Sequence, residues 1–215
     1  MINHFLISNF NIAVNAAHIL HGLNVILFLI GFSKNGKAYK IFTIYLAVII
    51  IGEMISKIMI HNKYENISMS HYYFIMQFIF LSFFYIEILH LPIQKKIIKV
   101  GLILIPIILA IQYILDPKLI FIFNLFEVFV CSFSIIIYAT FHFYNMLNGK
   151  RTFYYINSGI LIYLFGSTII FLSGNVLIMK SKLYGSYLVY INLCLYIFYL
   201  LMFLFEWKKN YSKIK

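Results

Sequence analysis

The sequence contains little charge for its length, and negative charge is the scarcest kind. Charged residues make up 11% of the 215-residue chain, with six Asp plus Glu against 17 Lys plus Arg. Roughly 25% of an average soluble domain is charged, so this composition excludes a water-soluble fold and a disordered chain. Apolar residues make up 63% of the chain, and the mean hydropathy is +0.94. The chain is therefore predicted to be a membrane protein.

Cysteine is also scarce, and the short motifs of several enzyme classes are missing. The two cysteines, Cys131 and Cys194, lie in apolar runs, where neither a disulfide framework nor a CxxC metal site can be read. The chain has no GxSxG nucleophile elbow, no HExxH zinc motif and no GxxxxGK[ST] phosphate loop. No basic region precedes the first apolar stretch, so no cleaved secretory signal is predicted.

Seven apolar runs are long enough to cross a bilayer, since a helix needs about 20 apolar residues to span roughly 30 Å of hydrocarbon. They lie near residues 11–32, 41–60, 69–89, 97–115, 119–145, 153–178 and 185–206. The connections between them are short, which predicts one all-α transmembrane domain over residues 1–215 and excludes a soluble catalytic domain. The sequences Asn35-Gly36-Lys37 and Asn148-Gly149-Lys150 each follow a predicted helix, and their glycines are expected to end it in the left-handed conformation.

Basic residues are divided unevenly between the two sides of the predicted seven-helix bundle. Twelve lie in alternate connections and the C-terminal tail, against four on the opposite side. Because short cationic loops stay in the cytoplasm, the C-terminus is predicted to be cytoplasmic and the N-terminus outside. This topology explains the net charge of +11 without a nucleic-acid partner. The preference for Lys, Ile and Asn indicates an A/T-rich bacterial genome and hence the bacterial inner membrane.

Ionisable side chains at bilayer depth are the informative residues, because each costs about 3 kcal/mol unless it is paired, hydrated or functional. Glu53 and Lys57 lie one helical turn apart and can neutralise each other, so a structural ion pair and a role in a pocket stand as equal alternatives. Glu127 has no cation nearby in the sequence. It is expected either to be protonated or to pair with another helix, with Lys57, His18 and His21 as candidates.

A polar stripe and a histidine pair complete the candidate site. The stripe lies on one face of the fifth span and consists of Asn124, Glu127, Cys131, Ser134 and Tyr138. His18 and His21 form an HxxH pair that two-histidine metal sites use, but no third ligand is fixed by spacing, so polar helix packing is favoured and neither a metal nor another cofactor is predicted.

Polar residues of five or more spans are expected at a similar depth. The set comprises Asn15, His18, His21, Glu53, Lys57, Gln77, Glu127, Asn175 and Asn192. A shared, outward-facing polar cavity is the simplest explanation, and it would bind a small molecule that the sequence does not identify. Gly159, Gly166 and Gly174 predict close helix packing. Glu87, His90 and His142 are expected to be solvated helix ends.

Three segments carry a resemblance to a known group of proteins. They are HYYFIMQFIFLSFFYIEIL at 71–89, NLFEVFVCSFSIIIYATFHFY around Glu127, and FYYINSGILIYLFGSTIIFLSGNVL at 153–177. From the third span to the seventh, the chain resembles small, largely uncharacterised seven-helix membrane proteins of Bacteroidota. The resemblance implies a membrane sensing or input module that works with a separate signalling protein.

The leading functional prediction is a receptor-like or sensory membrane component acting through such a partner. Short loops and a short lysine-rich tail leave no output domain, which is why a partner is expected. The competing class is a small transporter or proton-coupled carrier in which Glu127 titrates, although no inverted repeat is evident. An intramembrane lipid-modifying enzyme using His18, His21 and a carboxylate is a third class, with no nucleophile motif to support it.

Overall fold

The described part of the chain folds into seven α-helices, as the hydropathy pattern predicts. The computed structural model describes residues 2–147, 149, 151–180 and 182–212, with the side chains of all but 2–9, 175–180 and 182–184. The helices are α1 (Ile2–Ile30), α2 (Lys37–His61), α3 (Ser68–Ile88), α4 (Pro92–Leu115), α5 (Leu125–Leu147), α6 (Tyr154–Lys180) and α7 (Lys182–Asn210). Each contains a segment long and apolar enough to cross a bilayer, and these ranges contain no strand. The all-α, seven-helix prediction is confirmed, and the helices suit a multi-pass integral membrane protein.

Helix α5 begins later than the apolar run predicts, at Leu125 instead of residue 119. Pro117 lacks a backbone N–H and starts a separate 3-10 turn, Pro117–Phe121, to which the Asp116 side chain adds a capping bond. Asn124 then caps α5, because its Oδ1 accepts a hydrogen bond from the Glu127 N–H at 3.3 Å. Glu127 consequently lies in the first turn of α5, six residues nearer the helix end than predicted.

Gly36 does not end a helix in the left-handed conformation, and that prediction is wrong. Its φ is −67° and its ψ is 176°, which is extended backbone, and it directly precedes α2. The Gly36 carbonyl accepts the N–H of Lys40 at 3.2 Å, which is the first bond of the new helix. Gly36 therefore caps the N-terminus of α2, since α1 has already ended at Ile30. Asn148 and Lys150 of the second connection lie outside the described residues.

The helices group into two compact units. A three-helix unit contains residues 1–31 and 153–215, and in it α7 packs against both α1 and α6. A four-helix unit contains residues 32–152, and in it α3 packs against α2, α4 and α5. The 3-10 turn belongs to the four-helix unit and contacts α3 and α4. A single domain over residues 1–215 stays a prediction.

Close packing in the three-helix unit depends on glycines of α6. A Cβ at Gly159 would lie 2.9 Å from Cβ of Met202, and one at Gly166 would lie 2.7 Å from a methyl group of Leu195. Both glycines therefore face α7, which confirms the predicted packing role for these two positions. At Gly174, no described atom comes within 4 Å of such a Cβ.

Aromatic residues of α2 and α3 fill the centre of the four-helix unit. The fully buried side chains include those of Phe42, Tyr45, Phe84 and Tyr85. In contrast, α4 directs a row of exposed apolar side chains outward, among them Ile93, Ile97, Ile103, Ile107, Ile111 and Ile114. An exposed apolar face of this length is stable in contact with lipid and unfavourable in water. The arrangement thus agrees with a bilayer environment.

Candidate functional site

The carboxyl group of Glu127 is buried at one end of the four-helix unit, where α3 begins, α4 ends and α5 begins. Only 1% of Glu127 is exposed. Its two oxygens lie 3.3 and 3.2 Å from Nδ1 of His71, in the first turn of α3. The hydroxyl of Tyr113, in the last turn of α4, donates a hydrogen bond to the same carboxyl group. Three helices thus each contribute one side chain that can hold a proton.

His71 links this cluster to the 3-10 turn. Its Nδ1 is 2.9 Å from the Tyr113 hydroxyl, and its Nε2 is 3.2 Å from the carbonyl oxygen of Ile120. The Tyr113 and His71 rings meet edge to face, with centroids 5.5 Å apart. Both ring nitrogens of His71 therefore face acceptors, and one of these acceptors belongs to the exposed turn that covers the cluster.

A second layer of amides holds Tyr113 in place. The Nδ2 atom of Asn124 donates to the Tyr113 hydroxyl at 3.3 Å and to Oε1 of Gln112 at 3.1 Å. Asn124 thus caps α5 through its oxygen and ties α5 to the end of α4 through its nitrogen. We call Glu127, His71 and Tyr113 the proton triad and treat Asn124 and Gln112 as its supports.

The hydrogen-bond partners of His71 define where a proton can move. A carbonyl oxygen only accepts, so the hydrogen bond to Ile120 assigns a proton to Nε2. Nδ1 is then the nitrogen that gains or loses the second proton, and it faces the Glu127 carboxyl group. The pair can exist as imidazolium and carboxylate or as neutral imidazole and carboxylic acid, which differ by the movement of one proton across about 3.2 Å.

Glu127 was expected either to be protonated or to pair with another helix, and it does face a cation-forming side chain of another helix. The partners that the structure shows, His71 and Tyr113, were not among those predicted. The sequence held a signal for both. Consecutive spans alternate in direction, so the start of α3, the end of α4 and the start of α5 must share one side, and each carries a titratable residue in its terminal turn. The predicted stripe on α5 is confirmed as a mostly buried face.

Gln77 of α3 lies in the same unit as the proton triad but has other partners. It is 2% exposed, and its Nε2 donates to the hydroxyls of Tyr45 and Tyr73, each at 3.1 Å. Glu53 of α2 is half-buried and Lys57 is exposed, so these two candidates lie nearer the surface of the unit than Glu127 does.

The predicted residues of α1 and α7 belong to the three-helix unit. His21 is buried, and its Nδ1 lies 3.0 Å from the Tyr196 hydroxyl. His18 and Asn192 are half-buried, and Asn15 is exposed. Asn24, which the sequence analysis did not single out, is buried and donates from Nδ2 to the Leu200 carbonyl at 3.0 Å. The side chain of Asn175 lies outside the described residues.

Two further buried groups differ from the sequence expectation. His142 was expected to be a solvated helix end, but 2% of it is exposed and its Nε2 lies 2.8 Å from the Thr152 carbonyl oxygen. Glu206 was not singled out, yet it is fully buried, and its carboxylate accepts the backbone N–H of Tyr155 at 2.9 Å. The other two expected helix ends behave as predicted, since His90 is exposed and Glu87 forms a 2.7 Å ion pair with exposed Lys37.

Metal ligands do not gather in the described part of the chain. Among those residues, no three His, Cys, Asp or Glu side chains lie close enough to hold one ion. The chemistry that the arrangement supplies is proton binding and transfer, because the proton triad combines an acid, a base and a hydroxyl within hydrogen-bond distance.

Comparison of the chain with protein-family models, curated proteins and solved structures finds no match.

Proposed function

We propose that this protein is a sensory component of a membrane, that its input is the protonation state of the proton triad, and that it acts through a separate protein. The observation that supports this most is the burial of Glu127 against His71 and Tyr113 beneath the exposed 3-10 turn. Buried acid–base groups that contact one another in this way are concentrated at functional sites.

The groups around Glu127 suit it to act as an input with two protonation states. Among the described side chains, α3 presents His71, α4 presents Tyr113, and α5 itself presents Cys131 one turn further on. Adding or removing one proton changes the net charge of this buried cluster by one unit. An uncompensated charge in a low-dielectric environment has a high free energy, so neighbouring groups are expected to move in response. The compensating movement would occur at the 3-10 turn, because His71 holds that turn through the Ile120 carbonyl.

We place the proton triad on the outer side of the bacterial inner membrane, with the N-terminus outside. The distribution of twelve and four basic residues supports this orientation. The proposed kinship with the seven-helix proteins of Bacteroidota and the short connections between the helices support a separate output protein.

Hydrogen–deuterium exchange of the protein in lipid nanodiscs tests the sensory role. We expect residues 116–124 to exchange differently at acidic and neutral pH, once labelling times are scaled to equal intrinsic exchange. Glu127→Gln removes the titratable carboxyl but keeps its shape, so in this variant the difference in exchange between the two pH values should be smaller than in the unmodified protein. The matched control is Glu65→Gln, at an exposed position of the α2–α3 connection, which should respond as the unmodified protein does.

The same experiment can reject the sensory proposal. An identical exchange pattern of residues 116–124 at both pH values in the unmodified protein would exclude the proton triad as an input. The alternative, a proton-coupled carrier, rests on the same buried carboxyl group. A carrier would additionally accumulate a solute in vesicles when a pH difference is imposed, whereas a sensor would not.

A further inference from the structure

A ladder of hydrogen-bonding side chains continues from the proton triad along the buried face of α5. Its members are Glu127, Cys131, Ser134, Tyr138 and His142, at spacings of four, three, four and four residues. One helical turn is 3.6 residues, so these side chains lie above one another on a single face. All are buried except Ser134, which is half-buried.

The ladder covers much of the thickness of a membrane. Fifteen residues separate its ends, which corresponds to about 22 Å at the usual 1.5 Å per residue, against about 30 Å of hydrocarbon. Within it, the Ser134 hydroxyl donates to the Val130 carbonyl at 2.7 Å, and Cys131 and Tyr138 on either side of Ser134 are 2% and 3% exposed. No apolar turn of α5 interrupts the sequence of thiol, hydroxyl, phenol and imidazole groups.

Helix α3 lines the far end of the ladder, because α3 and α5 run parallel. The Tyr85 ring lies 6.3 Å from the Tyr138 ring and 6.5 Å from the His142 ring, measured between centroids. Nδ1 of His142 has no hydrogen-bond partner within the described part of the protein, and neither has Oγ of buried Ser82, which precedes Tyr85 by three residues on α3. Buried polar atoms of native proteins are completed by internal water when protein partners are lacking, so the far end of the ladder is suited to hold water.

The two ring nitrogens of His142 are placed so that one can accept a proton while the other releases one. Its Nε2 faces the carbonyl of exposed Thr152 at 2.8 Å, and a carbonyl only accepts, so Nε2 carries a proton. Nδ1 is then free to accept a second proton from the ladder, after which Nε2 releases its own proton to water at Thr152. The other titratable groups that face His142 are Tyr85 of α3 and His90, which follows α3.

We propose that the four-helix unit conducts protons across the membrane along this face of α5, entering or leaving through the proton triad at one end and His142 at the other. No redox step is involved, because each group accepts one proton and releases one. This activity goes beyond sensing, since a sensor needs the triad alone, whereas conduction also needs Ser134, Tyr138 and His142.

Proton flux into vesicles of neutral phosphatidylcholine tests the path, using the full chain and a trapped pH indicator. A potassium gradient with valinomycin supplies the driving force. We expect vesicles with the unmodified protein to change internal pH faster than protein-free vesicles. Ser134→Val replaces the central hydroxyl with an apolar group and should reduce flux to the protein-free rate.

Thr140→Val is the matched control. Both hydroxyls donate to the carbonyl four residues earlier, at 2.7 Å for Ser134 and 2.8 Å for Thr140, but Thr140 lies on the exposed face of the same helix. We expect Thr140→Val to conduct as the unmodified protein does. If Ser134→Val does not fold, the smaller Ser134→Ala provides the comparison and should also conduct less than Thr140→Val.

Two results would overturn the proton path. One is a flux no faster than that of protein-free vesicles under either sign of the driving force, and the other is equal flux in the Ser134 and Thr140 variants. Failure of the path is distinguishable from failure of the sensory proposal, because Ser134 lies outside the proton triad. Exchange of residues 116–124 would still respond to pH in Ser134→Val if the sensory proposal alone is correct.

Discussion

His71→Leu is expected to destabilise the protein by about 3–5 kcal/mol, the usual cost of removing one partner from a buried charged pair. The variant leaves the Glu127 carboxyl group buried, with 1% of the residue exposed, and deprives it of the imidazole on which both of its oxygens converge. It also removes the hydrogen bond to Ile120 that holds the 3-10 turn. The free energy of unfolding in mixed detergent and denaturing surfactant measures the effect.

A double substitution separates the buried pair from packing. His71→Leu combined with Glu127→Leu removes both polar partners, and such replacements recover stability because no unpaired group remains buried. We therefore expect the double variant to be more stable than His71→Leu alone. His61→Leu, at the exposed end of α2, is the surface control and should change stability by less than about 0.5 kcal/mol. Equal stability of the His61 and His71 variants would show that the pair makes no contribution.

Glu206→Leu is expected to have the second-largest effect, about 1–3 kcal/mol, because it leaves buried donors without an acceptor. Glu206 belongs to α7, yet its carboxylate caps the first turn of α6 by accepting the N–H of Tyr155 at 2.9 Å. The other carboxylate oxygen accepts from Nδ2 of Asn210 at 2.5 Å. First-turn N–H groups have no partner within their own helix, so a carboxylate from a neighbouring helix stabilises them by hydrogen bonding and by the helix dipole.

Glu206→Gln distinguishes the hydrogen bond from the volume of the side chain. Glutamine keeps the shape and one acceptor oxygen, so most of the capping interaction with Tyr155 should survive, and the loss should be less than half that of Glu206→Leu. Thermal unfolding in detergent, monitored by circular dichroism, provides the comparison. If both variants unfold at the same temperature, Glu206 acts through packing and the capping role is wrong.

The helices and the polar face of α5 were predictable because they depend on local patterns. Seven apolar runs of sufficient length can only be accommodated in lipid as helices, whose backbone groups are all satisfied internally. The stripe from Asn124 to Tyr138 follows from the 3.6-residue period alone. In the same way, the glycines of α6 predict close packing because a missing Cβ lets another helix approach.

The start of α5 was predicted wrongly because hydropathy does not distinguish an apolar turn from an apolar helix. Residues 119–123 are strongly apolar, but Pro117 and the capping side chain of Asn124 determine where the helix begins. The sequence Asn124-Leu-Phe-Glu127 matches the spacing of a helix N-terminus, so the correct start was readable from capping rules. The apolar character of the turn instead suits contact with the membrane interface.

The partner of Glu127 required tertiary information. His71 precedes Glu127 by 56 residues, and pairing them depends on which helices are neighbours. Hydropathy and charge assign the two ends of each helix to sides of the membrane, but they do not show which helices are neighbours. The histidines of α1 were therefore equally reasonable candidates. The burial of His142 could not be predicted from the sequence for the same reason, since it depends on contacts with the Thr152 carbonyl and with Tyr85 of α3.

Infrared difference spectroscopy of the protein in lipid, recorded between acidic and neutral pH, tests most directly whether Glu127 and His71 act as one protonation unit. Glu127→Gln identifies the carboxyl band, and ring-labelled histidine identifies the imidazole bands. Strongly coupled groups titrate together, so we predict that the Glu127 carboxyl signal and a His71 imidazole signal change with a common midpoint. In Glu127→Gln, the carboxyl change should be absent and the His71 change should move to a different midpoint. A carboxyl band of Glu127 that stays constant wherever the protein is folded, or one that titrates independently of His71, would show that the two side chains are not one protonation unit.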